Sequence, residues 1–328
     1  MPGIEFIKNL VLNVRNVALY AAFRHHRIGT SDCLSGHLLL SKILNGISDV
    51  SLIRSVDLGA CRLDSLPVST VVNLNFLCEV SLDGTFVTMH QARALMMNIA
   101  KGSQILKLHL GKECMICLET LSDALDNLEP TLVAEALNKV EYLCYNKISC
   151  TDGGCRKMEP DVHFSAFLEE MGKKTNLRQI KMERNAYFNV SSEVVAKAFN
   201  NLENLEFAND SCISTKQIVA LFKLMSKETK IVRLTLSCDD VLLLNSELVA
   251  RAVVKVIQAD VTCKVSRAHV RALLSQVNYS AKIKRLNLGS NDISKIPERV
   301  VENAAEVLRK NGGSVTFKSD NEKKFMSY

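Results

Sequence analysis

Four cysteines in two short runs have the spacing best suited to chemistry in this chain. Cys114 and Cys117 bracket two residues, and Cys150 and Cys155 bracket four. Thiolates at such intervals, drawn from two loops, are able to hold zinc tetrahedrally. Cysteine is also a small core hydrophobe, and the chain has 11 of them, so simple packing accounts for the same residues. No cofactor is therefore expected, and zinc stands as the alternative at this one place. The seven histidines are dispersed. His25 and His26 sit between Arg24 and Arg27, which reads as surface, and His90 and His269 fall at capping or exposed helix-start positions. His37 and His163 lie on or near helices. His109 falls on a strand, where it is able to titrate near neutrality, but one histidine does not make a site. Phosphate-loop, zinc-protease and nucleophile-elbow patterns are all missing, so no enzyme activity is expected.

Composition narrows the classes. The 328 residues are 47% hydrophobic and 23% charged, with 5 prolines and no tryptophan, as in a globular chain without long linkers. The net charge of +6 is mild, and its basic residues are scattered instead of lying in one stripe, so nucleic acid is not an expected partner. Glu5, Lys8 and Arg15 interrupt the apolar N-terminal stretch, so it reads as neither signal peptide nor membrane span. A cytoplasmic protein without a disulfide framework is the expectation. Three Asn-x-Ser sequons, at Asn189, Asn209 and Asn278, would then go unused.

The elements that position these residues recur. One helical signature begins at Pro67, Pro130, Ser192 and Ser246, with a weaker copy at Pro297. After each of the first four starts, fifteen residues lead to the end of an alternating apolar segment, at Leu82, Tyr145, Phe207 and Val261. Pro or Ser there suits N1 or the N-cap, and the alternation is the strand period. A second signature begins at Thr88, Asp161, Ser214 and Ser266 and precedes strand ends at Leu110, Met182, Leu236 and Leu288 by 21 or 22 residues. Thr88 with Gln91, and Ser214 with Gln217, fit a capping box. Strands ending at Leu58 and Phe317 bring the count to ten. Strand-helix units of this kind bury their apolar sides only by stacking, which predicts a parallel sheet with helices on its outer face.

The segments LIRSVDLGACRL and IKRLNLGSNDI, with Cys61 and Asn291 at the N/C position, resemble the signature of leucine-rich repeats, and the repeat length resembles the ribonuclease-inhibitor-like subclass. Other copies are degenerate, with Thr85, Glu113 and Asp210 at that position, where a weaker hydrogen-bonded ladder is expected. The resemblance covers residues from about 35 to 318. It implies an α/β horseshoe with parallel strands on the concave face and helices on the convex one. Residues 1–34 read as an N-terminal cap or degenerate first repeat, and 319–328 as a flexible tail.

The resemblance implies a binding surface, since members mostly bind proteins. Some deliver substrates to ubiquitin ligases, some are sensor ends of innate immune receptors, and some regulate GTPases. The expected function is a scaffold for a protein partner, with no membrane role. A regulatory subunit such as a ligase adaptor or receptor sensor fragment is the alternative, and a GTPase-activating solenoid is third. The residues expected to face the partner flank the buried strand positions: Glu79, Lys107, His109, Tyr142, Gln179, Lys181, Glu206, Arg233, Asp260 and Arg285. Two neighbouring loops, 111–129 and 146–160, each carry about ten residues more than their counterparts. Insertions on one face of a solenoid often mark the binding side.

Overall fold

A computed structural model describes residues 12–13, 40–42, 44–47, 54–58, 61–111, 121–125, 127–146, 162–182, 190–207, 213–237, 241, 243–291, 293–318 and 325–327. The chain divides into two compact units. Unit one comprises Met1–Glu170, Lys174–Leu177 and Lys181–Asn185, and unit two Met171–Lys173, Arg178–Ile180 and Ala186–Tyr328.

In unit one the strands β1 (Leu12–Asn13), β2 (Ser55–Asp57), β3 (Glu79–Ser81), β4 (Lys107–Gly111) and β5 (Tyr142–Asn146) lie parallel in chain order. Between them run α1 (Val68–Val72), α2 (Met89–Gly102), α3 (Leu121–Leu125) and α4 (Pro130–Leu137), with α5 (Val162–Lys173) after β5. In unit two β7 (Asn204–Phe207), β8 (Arg233–Leu236), β9 (Gln258–Val261), β10 (Arg285–Asn287) and β11 (Ser314–Lys318) repeat the order, and β7 also pairs with the start of β6 (Gln179–Met182). The helices of this unit are α6 (Ser192–Phe199), α7 (Thr215–Met225), α8 (Ser246–Val253), α9 (Arg267–Gln276) and α10 (Glu298–Lys310). Strands β2 to β11 are the ten read from the sequence. Phe325–Ser327 forms β12, antiparallel to β11, inside the stretch expected to be a flexible tail.

The helix starts follow from their caps. Thr88 and Ser214 each accept from the backbone of the glutamine three residues on, which reaches back to the cap amide, so both capping boxes form. Ser191 and Ser266 accept one amide each, and Asn245 accepts two. Pro130 occupies the first turn of α4, where a missing N–H costs nothing. The strands bury their central residues in register: Val56, Val80, Leu108 and Leu143 in one unit, Leu205, Leu234, Ala259, Leu286 and Val315 in the other. Helix residues such as Val71, Leu95, Met96, Leu221 and Leu273 complete these cores. Each large side chain so buried contributes roughly 1.5–3 kcal/mol.

Polar links join successive repeats. At the strand starts one carbonyl accepts two consecutive amides of the next repeat. Arg54 O accepts Cys78 and Glu79, Leu106 O accepts Glu141 and Tyr142, and Ile257 O accepts Lys284 and Arg285. A second link joins the helix starts. Gln91 Nε2 donates to the carbonyl of Leu66 at 2.7 Å, and Gln217 Nε2 to that of Val190 at 2.9 Å. His163 Nε2 lies 2.8 Å from Leu128 O, and His269 Nε2 lies 3.1 Å from Leu244 O. Each acceptor directly precedes the N-cap of the helix one repeat earlier. Of its two readings, a capping position or an exposed helix start, His269 fits the first: it is buried, and its ring meets the N-cap Ser266. A carbonyl only accepts, so Nε2 donates, and in the neutral ring Nδ1 accepts the Ser266 hydroxyl at 2.7 Å.

His269→Gln should therefore preserve this link, because glutamine fills the matching position in α2 and α7. His269→Ala should cost about 1–2 kcal/mol. Urea midpoints compare them: equal loss in both variants would show that glutamine does not replace the histidine here, and no loss in the alanine variant would show that the link contributes nothing.

Candidate protein-binding faces

Strand residues alternate between the helix-packed side and an open side. In unit one the open side carries two rows in register: Ser55, Glu79, Lys107 and Tyr142, then Asp57, Ser81, His109 and Cys144. Lys107 Nζ lies 3.4 Å from one oxygen of Glu79, and His109 Nε2 lies 3.7 Å from the other. The His109 and Tyr142 rings stand 5.4 Å apart, tilted by 44°. The structure thus brings Glu79, Lys107, His109 and Tyr142 into one patch whose charges largely satisfy one another. Cys144 shares the patch and is buried there. It was missed in the sequence, although the alternation that points Tyr142 outward also points Cys144 outward.

In unit two the first row reads Gln179, Asn204, Arg233, Gln258, Arg285 and Ser314, and the second includes Glu206, Thr235, Asp260, Asn287 and Thr316. Asp260 accepts from Gln258 Nε2 at 3.0 Å and from Asn287 Nδ2 at 3.1 Å. Arg233, Arg285 and Glu206 are exposed, and Gln179 is half-buried. Lys181 lies on β6, and its side chain is outside the described residues.

Cys114, Cys117, Cys150 and Cys155 all lie outside the described residues, as do most of the loops 111–129 and 146–160. Elsewhere, among the described residues, no three His, Cys, Asp or Glu side chains are placed to share a metal ion. At the N/C position of its repeat, Cys61 is buried. Desolvation, aided by the Asp57 carboxylate, pushes its thiol up to about 12. It is a protonated packing residue at neutral pH, not a thiolate ligand. An ion pair follows directly in the chain. The Arg62 guanidinium bridges both oxygens of Asp64 and holds that carboxyl below its ordinary range.

Turns after the strands hold the remaining repeat-to-repeat bonds. Asn291 is buried and binds three carbonyls and one amide. Thr85, its counterpart, donates one bond to Leu58 O at 2.9 Å. Within each unit the strands up to β11 run parallel in chain order, helices connect one to the next, and an inward polar residue ties a turn to its neighbour. The fold is a leucine-rich-repeat solenoid. A solved structure similar to this solenoid is that of the leucine-rich repeat-containing protein LegL7 from Legionella pneumophila, 12% identical, covering 88% of this chain and 89% of that one with a TM-score of 0.46. At that distance the likeness bears on neither partner nor activity, and the fold assignment rests on the strand order and links above. No family model matches the chain, and no curated protein matches it. Among the described residues, no helix is long and apolar enough to cross a membrane.

Proposed function

We propose that this solenoid is a scaffold that holds a protein partner on its open strand faces, with the loops 111–129 and 146–160 adding contacts. One observation carries this reading. The open-side residues stand on strands whose alternate residues are nearly all fully buried, so the backbone that carries the polar groups is fixed while the groups reach solvent. A fixed backbone loses little conformational freedom on binding, which favours recognition. The faces mix acids, bases, amides and, in unit one, an aromatic, a composition suited to a protein surface. A continuous phosphate backbone would meet Glu79 and Asp57 in one unit and Glu206 and Asp260 in the other.

Partner capture with the full chain tests the proposal. Lys107→Glu with Tyr142→Ala alters the face of unit one, Arg233→Glu with Arg285→Glu alters that of unit two, and a third variant trims both loops to ordinary length. All the substitutions lie at solvent-reaching positions, so folding should be retained, which thermal unfolding checks. Loss of a bound partner in at least one variant is the expected result. Capture unchanged in all three would overturn the scaffold reading.

A further inference from the structure

We infer that the open face of unit two receives an acidic protein segment, with carboxylates about 10 Å apart seated on Arg233 and Arg285. The inference rests on the scaffold reading and adds the chemistry of the partner. Arg233 and Arg285 share a register row with Gln258 between them. Adjacent strands lie about 4.8 Å apart, so their Cα atoms are separated by about 10 Å. Leu234 and Leu286 follow them in sequence and are essentially inaccessible, which fixes the backbone beneath both arginines.

Neither guanidinium has a partner among the described residues. The neighbouring carboxylate of Asp260 pairs with neither of them, and its two oxygens accept instead from the amides of Gln258 and Asn287. Unit one differs at the same row. There Lys107 already lies beside Glu79. The unit-two face therefore presents two uncommitted guanidinium forks on a fixed backbone, and arginine matches a carboxylate through paired N–H donors.

Phosphate would satisfy one fork equally well, but the face as a whole does not suit nucleic acid. Glu206 and Asp260 stand in the next row, two residues along the strands. No described residue of either row is aromatic, so bases have no stacking platform. A protein segment avoids both difficulties, because it places carboxylates over the first row and neutral or basic groups over the second. In an extended segment of about 3.3 Å per residue the two acids fall three positions apart, and on a helix of 1.5 Å rise they fall seven apart.

Selection of a displayed library of random peptides on the full chain tests the inference, with immobilised single-stranded RNA as a parallel probe. Enriched peptides should carry Asp or Glu at one of those two spacings, and binding should weaken with added salt. Arg233→Ala with Arg285→Ala should weaken the selected peptides about tenfold or more. Arg233→Glu with Arg285→Glu should shift the selection toward Lys and Arg. Enrichment of non-acidic peptides, no enrichment at all, undiminished binding by the alanine variant, or preference for RNA would each overturn it. The scaffold reading fails separately, when partner capture survives all three of its own variants. Capture lost only in the unit-one variant would retain the scaffold and discard the acidic segment.

Discussion

Gly313→Ala is expected to pull β11 away from β10 and cost about 3 kcal/mol or more. A Cβ at this position would lie 1.9 Å from the carbonyl oxygen of Lys284 and 2.6 Å from its carbon. Both are backbone atoms and have no rotamer in which to escape. The Lys284 carbonyl accepts the Ser314 amide at 2.7 Å, the bond that opens the pairing of the two strands. Earlier repeats send two consecutive amides to the matching carbonyl, whereas the Gly313 amide turns back to Leu308 O at the end of α10. That turn brings the chain against Lys284, and only a residue without a side chain fits. Gly312→Ala is the control. Its φ of +71° favours glycine, but nothing lies within 4 Å of an added Cβ. The strain alone should cost about 1 kcal/mol. Urea midpoints and hydrogen exchange at Ser314 and Val315 compare the two. Equal effects would show that the contact at Lys284 relaxes freely.

Much of this architecture was legible because its periods are short. Fifteen residues from helix start to strand end, or 21 to 22 in the other repeat type, fall within reach of alternation and capping patterns. Thr88 with Gln91 and Ser214 with Gln217 announced two helix starts, and the boxes formed. The second role of those glutamines was not legible. Gln91 reaches Leu66 and Gln217 reaches Val190, 25 and 27 residues away, and only the stacked repeats bring these groups together. That link also decides between the capping and the exposed reading of His269, because it replaces glutamine at the same helical position and makes the same bond. Another signal was present and unread. Ser103, Thr175 and Thr229 each stand two residues before a buried Ile or Leu whose amide the hydroxyl accepts. The hydroxyl closes the turn into the following strand, a local bond typical of Ser and Thr. The same turn in the next repeat of this type has Ala281, and the Asn278 side chain accepts the Ser280 amide instead.

The candidate faces were legible to the extent that they depend on alternation. Glu79, Lys107, Arg233 and Arg285 stand where period two puts them. Which charges remain uncommitted was not legible, because it depends on cross-strand neighbours. Gln258 and Asn287 occupy Asp260, while Lys107 and Glu79 meet each other. A sequence shows that acids and bases are mixed on a face. Pairing in register decides which of them a partner still finds available.

Asn291→Ala should destabilise the last turns of unit two by about 3 kcal/mol, well beyond the loss from Thr85→Val in unit one. Asn291 Nδ2 lies 3.2 Å from Val261 O, 2.9 Å from Cys263 O and 2.8 Å from Leu288 O, and its Oδ1 accepts the Val265 amide at 2.7 Å. One side chain thus ties its own turn to the turn of the preceding repeat. Alanine would take the side-chain bond from the Val265 amide and from the carbonyls of Val261 and Cys263, in a turn with little access to water, while Leu288 O would keep the backbone amide of residue 291. Thr85 makes a single such bond, to Leu58 O, so its loss should cost about 1 kcal/mol. Asn291→Asp separates the two halves of the amide. A carboxylate still accepts from Val265, but it faces three carbonyl oxygens with no hydrogen to offer, so it should be at least as damaging as alanine. Hydrogen exchange at Val265 reads the difference locally. Its amide should become unprotected in the alanine variant and stay protected for as long as the aspartate variant remains folded. Similar small losses at Asn291 and Thr85 would mean that strand pairing alone holds these turns in register, and that the N/C position of the repeat adds little to its stacking.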